Sequence, residues 1–381
     1  MRKHYVDSLR NLGILFLFPF HTARVFNDNP SFYVKGAPNT FSSVLVYSSS
    51  FWFMPLLFLL AGISSFHALR TRTARLYLRE RGARLLVPFV FGCLLLVPPQ
   101  AYYAHRFQLG YQGSYPEFLV RYFTDFSGWT ETTGLSPAHL WFLLYLFVIS
   151  ITLLPLMRAV VVRGYAAAWP ADRRFLLLPF AVLAAASLLP APGGQNIFVY
   201  GVYFLLGFLI ATNDEIITTI ERLRRINLVI ALAGTALFLV EIHRLGKQTT
   251  LLFALWHQLF FWAALLAILG YGKRYANSRP RFMDYFGPAS FPVYVVHQTY
   301  LVIIAFYIVR TVDNDAVAFA LILLLSFGVS LGTYEVIRRI GPLRPLFGLP
   351  RGHGAPSAEA RVVTTSGPHP RPRQPKQRPA R

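Results

Sequence analysis

Apolar residues in this chain gather into blocks of roughly 17 to 25, bounded by charge, proline or glycine, the length a helix needs to cross a hydrocarbon core. The pattern predicts ten helices, at 9–26, 44–66, 85–105, 139–157, 174–190, 197–212, 226–242, 251–270, 289–309 and 316–337. The expected fold is therefore all-α: a polytopic membrane helix bundle with about ten transmembrane helices. An even number of spans puts both termini on one side. In the first block the uninterrupted stretch, Asn11 to Phe20, is short enough to resemble a signal-peptide core. No small-residue cleavage site follows, and His21-Thr-Ala-Arg24 stands in its place, so the segment is expected to stay as the first span. No internal repeat and no soluble domain is visible.

Composition supports this reading. The 381 residues are 55% hydrophobic and only 14% charged, whereas a soluble domain usually carries about 25% charged residues. Disordered and fibrous classes are excluded with it. The net charge of +21 could suggest a nucleic-acid partner, but topology accounts for it. With the termini in the cytoplasm, every Lys and Arg except Arg24, Lys35, Arg106, Arg121, Arg244, Lys247 and Arg310 falls on the inner side, as the positive-inside rule requires. The expectation is a cytoplasmic (inner) membrane protein, N-in and C-in, whose environment is the lipid bilayer and which binds no nucleic acid. The run from Phe66 to Arg84 reads as a basic helix along the inner leaflet. Residues 350–381, rich in Pro and Arg, cannot form a core and read as a disordered cytoplasmic tail after a transmembrane domain at 1–349. Cys93 is the one cysteine, which rules out an intrachain disulfide and a zinc–cysteine site.

Ionisable side chains inside spans are costly and invite functional hypotheses. Arg10 and His21, eleven residues apart, fall about 20° from alignment on one helix face and roughly 16 Å apart along the axis. A cation at the inner mouth with an imidazole deeper in suits an anionic cytosolic donor and proton chemistry farther along. The plainer alternative is an interface anchor and a packing histidine. Asp7 can hold the Arg10 guanidinium. His139, His257 and His297 repeat the pattern. Without i, i+3 or i, i+4 spacing among them, or a carboxylate expected beside them, no metal site is predicted. Trp141 can be a belt aromatic, and Ser290, Tyr294 and His297 share a helix face that can equally be interhelical glue. Arg81 and Arg84 can grip phosphate or simply anchor the inner end. Glu335 can pair locally with Arg338 and Arg339.

Together these residues resemble the acyltransferase-3 family of membrane acyltransferases. Arg10 followed by ten residues and His21 is similar to the family's Arg/Lys-x10-His signature, Arg81-Gly-Ala-Arg84 to its R-x-x-R, and Ser290-Phe-Pro-Val-Tyr294-Val-Val-His297 to its late S-x-x-x-Y-x-x-H element. HLWFLL at 139–144 and YEVIRRIGPLRPLFGL at 334–349 are most similar to the family's glucan-succinylating branch. The resemblance implies O-acyl transfer from cytosolic acyl-CoA, a donor substrate rather than a bound cofactor, to a hydroxyl of a glycan or other extracytoplasmic or membrane-associated acceptor. It implies His21 as the catalytic histidine and Arg10, Arg81 and Arg84 as residues supporting the donor or the fold. Asp7, His139, Trp141, Ser290, Tyr294, His297 and Glu335 are then supporting or acceptor-side residues. The orienting partner of His21 stays open between His297, Tyr294 and His139. Transfer would be acetyl or succinyl, and a succinyl group would need a cation such as Arg24. The connection from Arg106 to Pro137 suits acceptor selection.

A transporter or flippase for an acyl or lipid-linked intermediate is the rival reading, since polar residues near midplane also suit a transport path. Against it stand the lack of repeated halves and of paired broken helices. A scaffold working through its basic tail rests on residues 351–381 alone.

Overall fold

The computed structural model describes residues 4–350 except 129, 133, 165–177, 247–249 and 279. The predicted tail, past residue 350, lies outside the described residues. Among them every regular element is helical, as expected for a chain that must satisfy its backbone hydrogen bonds within lipid.

In chain order, α1 (His4–Phe26) is followed by α2 (Thr40–Ser50) and α3 (Phe53–Thr71). Next, α4 (Ala74–Arg81) runs through a π-helical turn, Gly82–Leu86, into α5 (Val87–Leu95) and α6 (Val97–Gln108). A short α7 (Tyr115–Thr124) precedes α8 (Trp141–Thr152), α9 (Leu154–Arg163) and α10 (Pro179–Ser187). The rest comprises α11 (Ile197–Ile210), α12 (Asp214–Leu245), α13 (Leu251–Tyr275), α14 (Arg281–Thr311) and α15 (Asp315–Arg339).

Six described stretches are long and apolar enough to cross a membrane: Thr40–Thr71, Ala74–Gln108, Arg224–Leu245, Leu251–Tyr275, Arg281–Thr311 and Asp315–Arg339. Two bent pairs raise this to eight. The first joins Ala138–Thr152 to Leu154–Arg163 at 50°, where Pro155 removes a backbone donor and breaks the ladder. The second joins Ile197–Ile210 to Asp214–Arg222 at 105°. There the Asn213 side chain accepts from the Glu215 amide at 2.8 Å, so the helix is capped and restarted, not continued. Of the ten predicted stretches, 9–26 becomes α1, 23 residues long but diluted by Arg10, His21 and Arg24. The stretch at 174–190 contributes α10 and lies partly outside the described residues.

Two pieces of packing position the site. Helices α3 and α11 touch through glycines: a Cβ on Gly62 would overlap the Phe204 carbonyl, and one on Gly207 would overlap that of Leu59. Only hydrogen side chains let the two backbones approach so closely, the small-residue packing typical of membrane helices. At the end of α1, the loop 27–39 folds back. Gly36 N donates to Val25 O at 2.9 Å and Asn39 N to Phe26 O at 2.8 Å. The Lys35 ammonium fills the turn, donating to Arg24 O (2.8 Å), Asn27 O (2.7 Å), Asn27 Oδ1 (2.9 Å) and Asn29 O (3.0 Å). One cation thereby satisfies carbonyls that a helix end leaves without partners.

Candidate active site

Three histidines predicted from different spans meet. The ring centroids of His21 and His297 are 5.1 Å apart and those of His139 and His297 are 5.2 Å apart. Helix α1 delivers the first, α14 the third, and the turn entering α8 the second. His139 follows Ala138, whose φ of 44° is the one left-handed non-glycine conformation among the described residues. Such strain persists only where the surroundings impose it.

Hydrogen bonds fix the tautomers. His297 Nδ1 lies 2.6 Å from Tyr294 O, an acceptor, so Nδ1 carries the proton and Nε2 the lone pair. That lone pair faces His21 Nδ1 at 3.3 Å, which also reaches Leu17 O at 3.1 Å. Both partners accept, so His21 is protonated on Nδ1 and its Nε2 is left basic. His139 Nε2 donates to Val295 O at 3.0 Å, and Tyr294 OH donates to His139 O at 2.7 Å. Tyr294 thus holds two of the histidines, one by its carbonyl and one by its hydroxyl.

Behind the rings lies a buried amide network that sequence reasoning missed. Gln100 Nε2 donates to Thr299 Oγ1 at 2.9 Å and approaches His139 Nδ1 at 3.5 Å. Gln298 Nε2 donates to Gln100 Oε1 at 3.2 Å, and Thr299 Oγ1 donates to Leu96 O at 2.7 Å. The signal was present: glutamines inside apolar spans are as costly as the histidines and need partners just as much.

In front of the rings is a cavity of about 360 Å³, within the range of small-molecule sites. His21, His139, Tyr294, His297 and Gln298 line one side, and Trp141, Tyr145, Tyr200 and Gln195 another, with Arg24 and Glu131 as its charged groups. Tyr200 OH donates to Gln195 Oε1 at 2.8 Å, and Tyr145 OH to Gln195 O at 3.2 Å. The Trp141 and Tyr200 rings lie 5.2 Å apart. An aromatic wall bearing an amide is suited to the apolar face and hydroxyls of a sugar ring. Arg24 donates to Ser31 O and lies 5.5 Å from the Phe32 ring.

The remaining predicted residues do not line this cavity. Arg10 pairs with Asp7 at 2.7 Å, about half the length of α1 below His21. Arg81 Nη2 donates to Ser65 Oγ at 2.6 Å, where Tyr77 OH also donates at 3.0 Å. Ser65 is twelve residues along α3 from Phe53, which lines the cavity, so Arg81 sits roughly 18 Å away along that axis. Arg84, in the π-helical turn, is exposed. Ser290 Oγ donates to Gly287 O at 2.8 Å. Glu335 accepts from Tyr285 OH at 2.7 Å and pairs with Arg338 at 2.7 Å and Arg339 at 3.4 Å, the local pairing expected. His257 corrects the expectation that no carboxylate accompanies the span histidines: its Nε2 lies 3.0 Å from both oxygens of Glu241. The two are sixteen residues apart, so the α12–α13 hairpin creates the pair. Among the described residues no group of three or more His, Cys, Asp or Glu could hold a metal ion.

A membrane bundle with three histidines gathered at one cavity is the setting in which family comparison places this chain among the membrane acyltransferases. The acyltransferase-3 model, an acyltransferase domain, matches residues 3–335, and the chain belongs to that family. It is similar to glucans biosynthesis protein C of Escherichia coli O139:H28 (strain E24377A / ETEC), 20% identical over 378 residues, 91% of this chain and 94% of that protein. The same protein from Escherichia coli O6:K15:H31 (strain 536 / UPEC) matches with the same identity and coverage. No solved structure matches the chain significantly.

Proposed function

We propose that the protein transfers an acyl group, acetyl or succinyl, from cytosolic acyl-CoA to a hydroxyl of an extracytoplasmic or membrane-associated glycan, with His21 as general base. The observation that carries this reading is the tautomer of His21: Nδ1–H is engaged by Leu17 O and His297 Nε2, which reserves Nε2 for the acceptor's proton. In the reaction Nε2 takes the proton of the acceptor hydroxyl as its oxygen attacks the thioester carbonyl. The tetrahedral intermediate then collapses, the C–S bond breaks, and the imidazolium returns the proton to the departing CoA thiolate. Among the described residues no serine, threonine or cysteine is hydrogen-bonded to His21, which supports direct transfer without an acyl-enzyme.

In this reading the bundle crosses the inner membrane about ten times with both termini in the cytoplasm. Arg10, Arg81 and Arg84 meet the CoA phosphates at the inner end. Along the helices it is roughly 16 Å from Arg10 to His21 and roughly 18 Å from Arg81 to the cavity at Phe53, the depth to which the pantetheine arm carries the thioester. Arg24, on the turn after His21, receives the carboxylate if the group is succinyl. The name of the E. coli relatives supports a glucan as the acceptor class.

The experiment is turnover in purified, lipid-reconstituted protein supplied with acetyl-CoA, succinyl-CoA and an oligoglucan, reading CoA thiol release and product mass. Wild type releases thiol and acylates the glucan, and His21→Ala does neither while remaining folded. Thiol release that survives His21→Ala would remove the proposed base. Acylation of the glucan with no dependence on acyl-CoA would remove the proposed donor.

A further inference from the structure

At the cavity's end of the bundle, two cations converge on one ring. Arg310 Cζ stands 3.6 Å and Arg106 Cζ 5.5 Å from the centroid of the buried Phe306 ring, so the two guanidinium carbons lie within about 9 Å of each other. Tyr103 OH and Tyr307 OH, one turn below on α6 and α14, are 3.0 Å apart. Only one hydroxyl can donate across that contact, so the other O–H is left to donate elsewhere. Neither arginine has an ion pair among the described residues, and Asp313 and Asp315, the acids nearest Arg310 in sequence, pair with neither.

Each arginine alone has an ordinary explanation, since a cation in a helix's last turn complements the dipole. That does not explain why two uncompensated cations share one phenyl ring, where their mutual repulsion is unfavourable. Depth adds to the case. Arg106 lies two residues from the end of the span Ala74–Gln108, and Arg310 one residue from the end of Arg281–Thr311. Both therefore reach headgroup level on the same membrane face. Tyr307, 52% exposed, opens that corner to the lipid.

We propose that Arg106 and Arg310, with the Tyr103–Tyr307 hydroxyl pair, bind the phosphate of an anionic glycerophospholipid in the leaflet on the cavity's side. One phosphate accepting charge-assisted hydrogen bonds from both guanidinium groups needs them about 8 Å apart, within the limit the ring contacts set. A double positive charge with no paired acid among the described residues favours a net-negative headgroup over a zwitterionic one. The bound lipid stands at the rim of the cavity, because Gln108 Nε2, at the end of the same helix, donates to Phe32 O at 2.7 Å in the loop over it. The site does not depend on which acyl group or acceptor the enzyme uses.

The test is native mass spectrometry and thermal melting of detergent-purified full-length protein titrated with phosphatidylglycerol, phosphatidylcholine or glycerol phosphate. Wild type retains one phosphatidylglycerol with higher affinity than phosphatidylcholine and melts higher with it. Each arginine near an anionic headgroup is worth about fivefold in affinity, so Arg310→Gln weakens the phosphatidylglycerol complex about fivefold, and Arg106→Gln with Arg310→Gln about thirtyfold. Equal affinity in wild type and Arg310→Gln, equal retention of the two lipids, or equal stabilisation by glycerol phosphate would each overturn the proposal. The single variant keeps the test decisive should the double one fail to fold.

Discussion

His297 Nε2 lies 3.3 Å from His21 Nδ1, although the two residues are 276 positions apart in the chain. In the proposed reaction this contact, with the Leu17 carbonyl on the same nitrogen, makes His297 the residue that orients the base. The role is the one a carboxylate fills in a serine-hydrolase triad, here taken by a neutral imidazole whose own proton is held by Tyr294 O.

His21→Ala should lower kcat by about 100- to 10,000-fold, the usual worth of a general base. His297→Leu leaves the base present but free to rotate and should lower kcat roughly tenfold or more with little change in KM. His297→Gln, whose amide oxygen can accept from Nδ1–H, should recover part of the loss. Steady-state kinetics on the three variants decide this, and an unchanged kcat in His297→Leu would show that the contact is mere packing.

The glycine contact between α3 and α11 predicts a purely structural defect. Gly62→Val or Gly207→Val puts a side chain where the facing backbone carbonyl stands, and overpacking of this kind costs about 1 to 3 kcal/mol. Thermal melting in detergent should drop for both variants and stay near wild type for His21→Ala. Melting at the wild-type temperature would mean that the helices stand farther apart than described.

The Glu241–His257 pair, Glu241 buried and His257 half-buried, lies between α12 and α13 and outside the cavity. Removing either partner leaves a polar group in an apolar setting among Phe238, Phe260 and Phe261. A double-mutant cycle with Glu241→Gln and His257→Leu should give a coupling of about 0.5 to 3 kcal/mol in stability. Zero coupling would contradict a direct pair.

Lys35 carries the pH prediction. Burial, helped by the neighbouring Arg24 guanidinium and opposed by Asp28, lowers its ammonium to about 8. A base whose folded pKa lies below its unfolded one is the weaker proton binder when folded, so stability rises with pH from about 8 up to the unfolded value. Lys35→Met cannot titrate there. The melting temperature of wild type relative to Lys35→Met should therefore increase between pH 8 and 10, and a difference that stays flat or falls would refute the shift.

The architecture was legible wherever a single stretch of chain decides it. Block length and the scarcity of charge are local properties, so the apolar helices at 44–66, 251–270 and 316–337 could be read directly. Broken helices were harder, because Asn213 caps α12 with a side chain that resembles any loop asparagine until its acceptor is known. His21, His139 and His297 were each picked out for one reason: a polar ring inside an apolar span must have a partner. Gln100 and Gln298 carry the same mark, an amide inside an apolar span, and were passed over, whereas Glu131 lies in a loop and joined the cavity lining only through what surrounds it.

Sequence by itself determined that this chain is helical and membrane-embedded, that it has the signatures of its family, and that α1 carries a histidine in need of a partner. Each of these rests on neighbours a few residues away or on the energy of one side chain in lipid. Tertiary structure decided the rest: that His297 and not His139 abuts His21, that Nδ1 is the engaged nitrogen of His21, that Glu241 meets His257, and that Arg10 and Arg81 stand roughly 16 to 18 Å from the cavity along the helices. Those facts depend on distances between atoms far apart in the chain, which the packing of α1 on α14 and of α3 on α11 sets and no local pattern encodes.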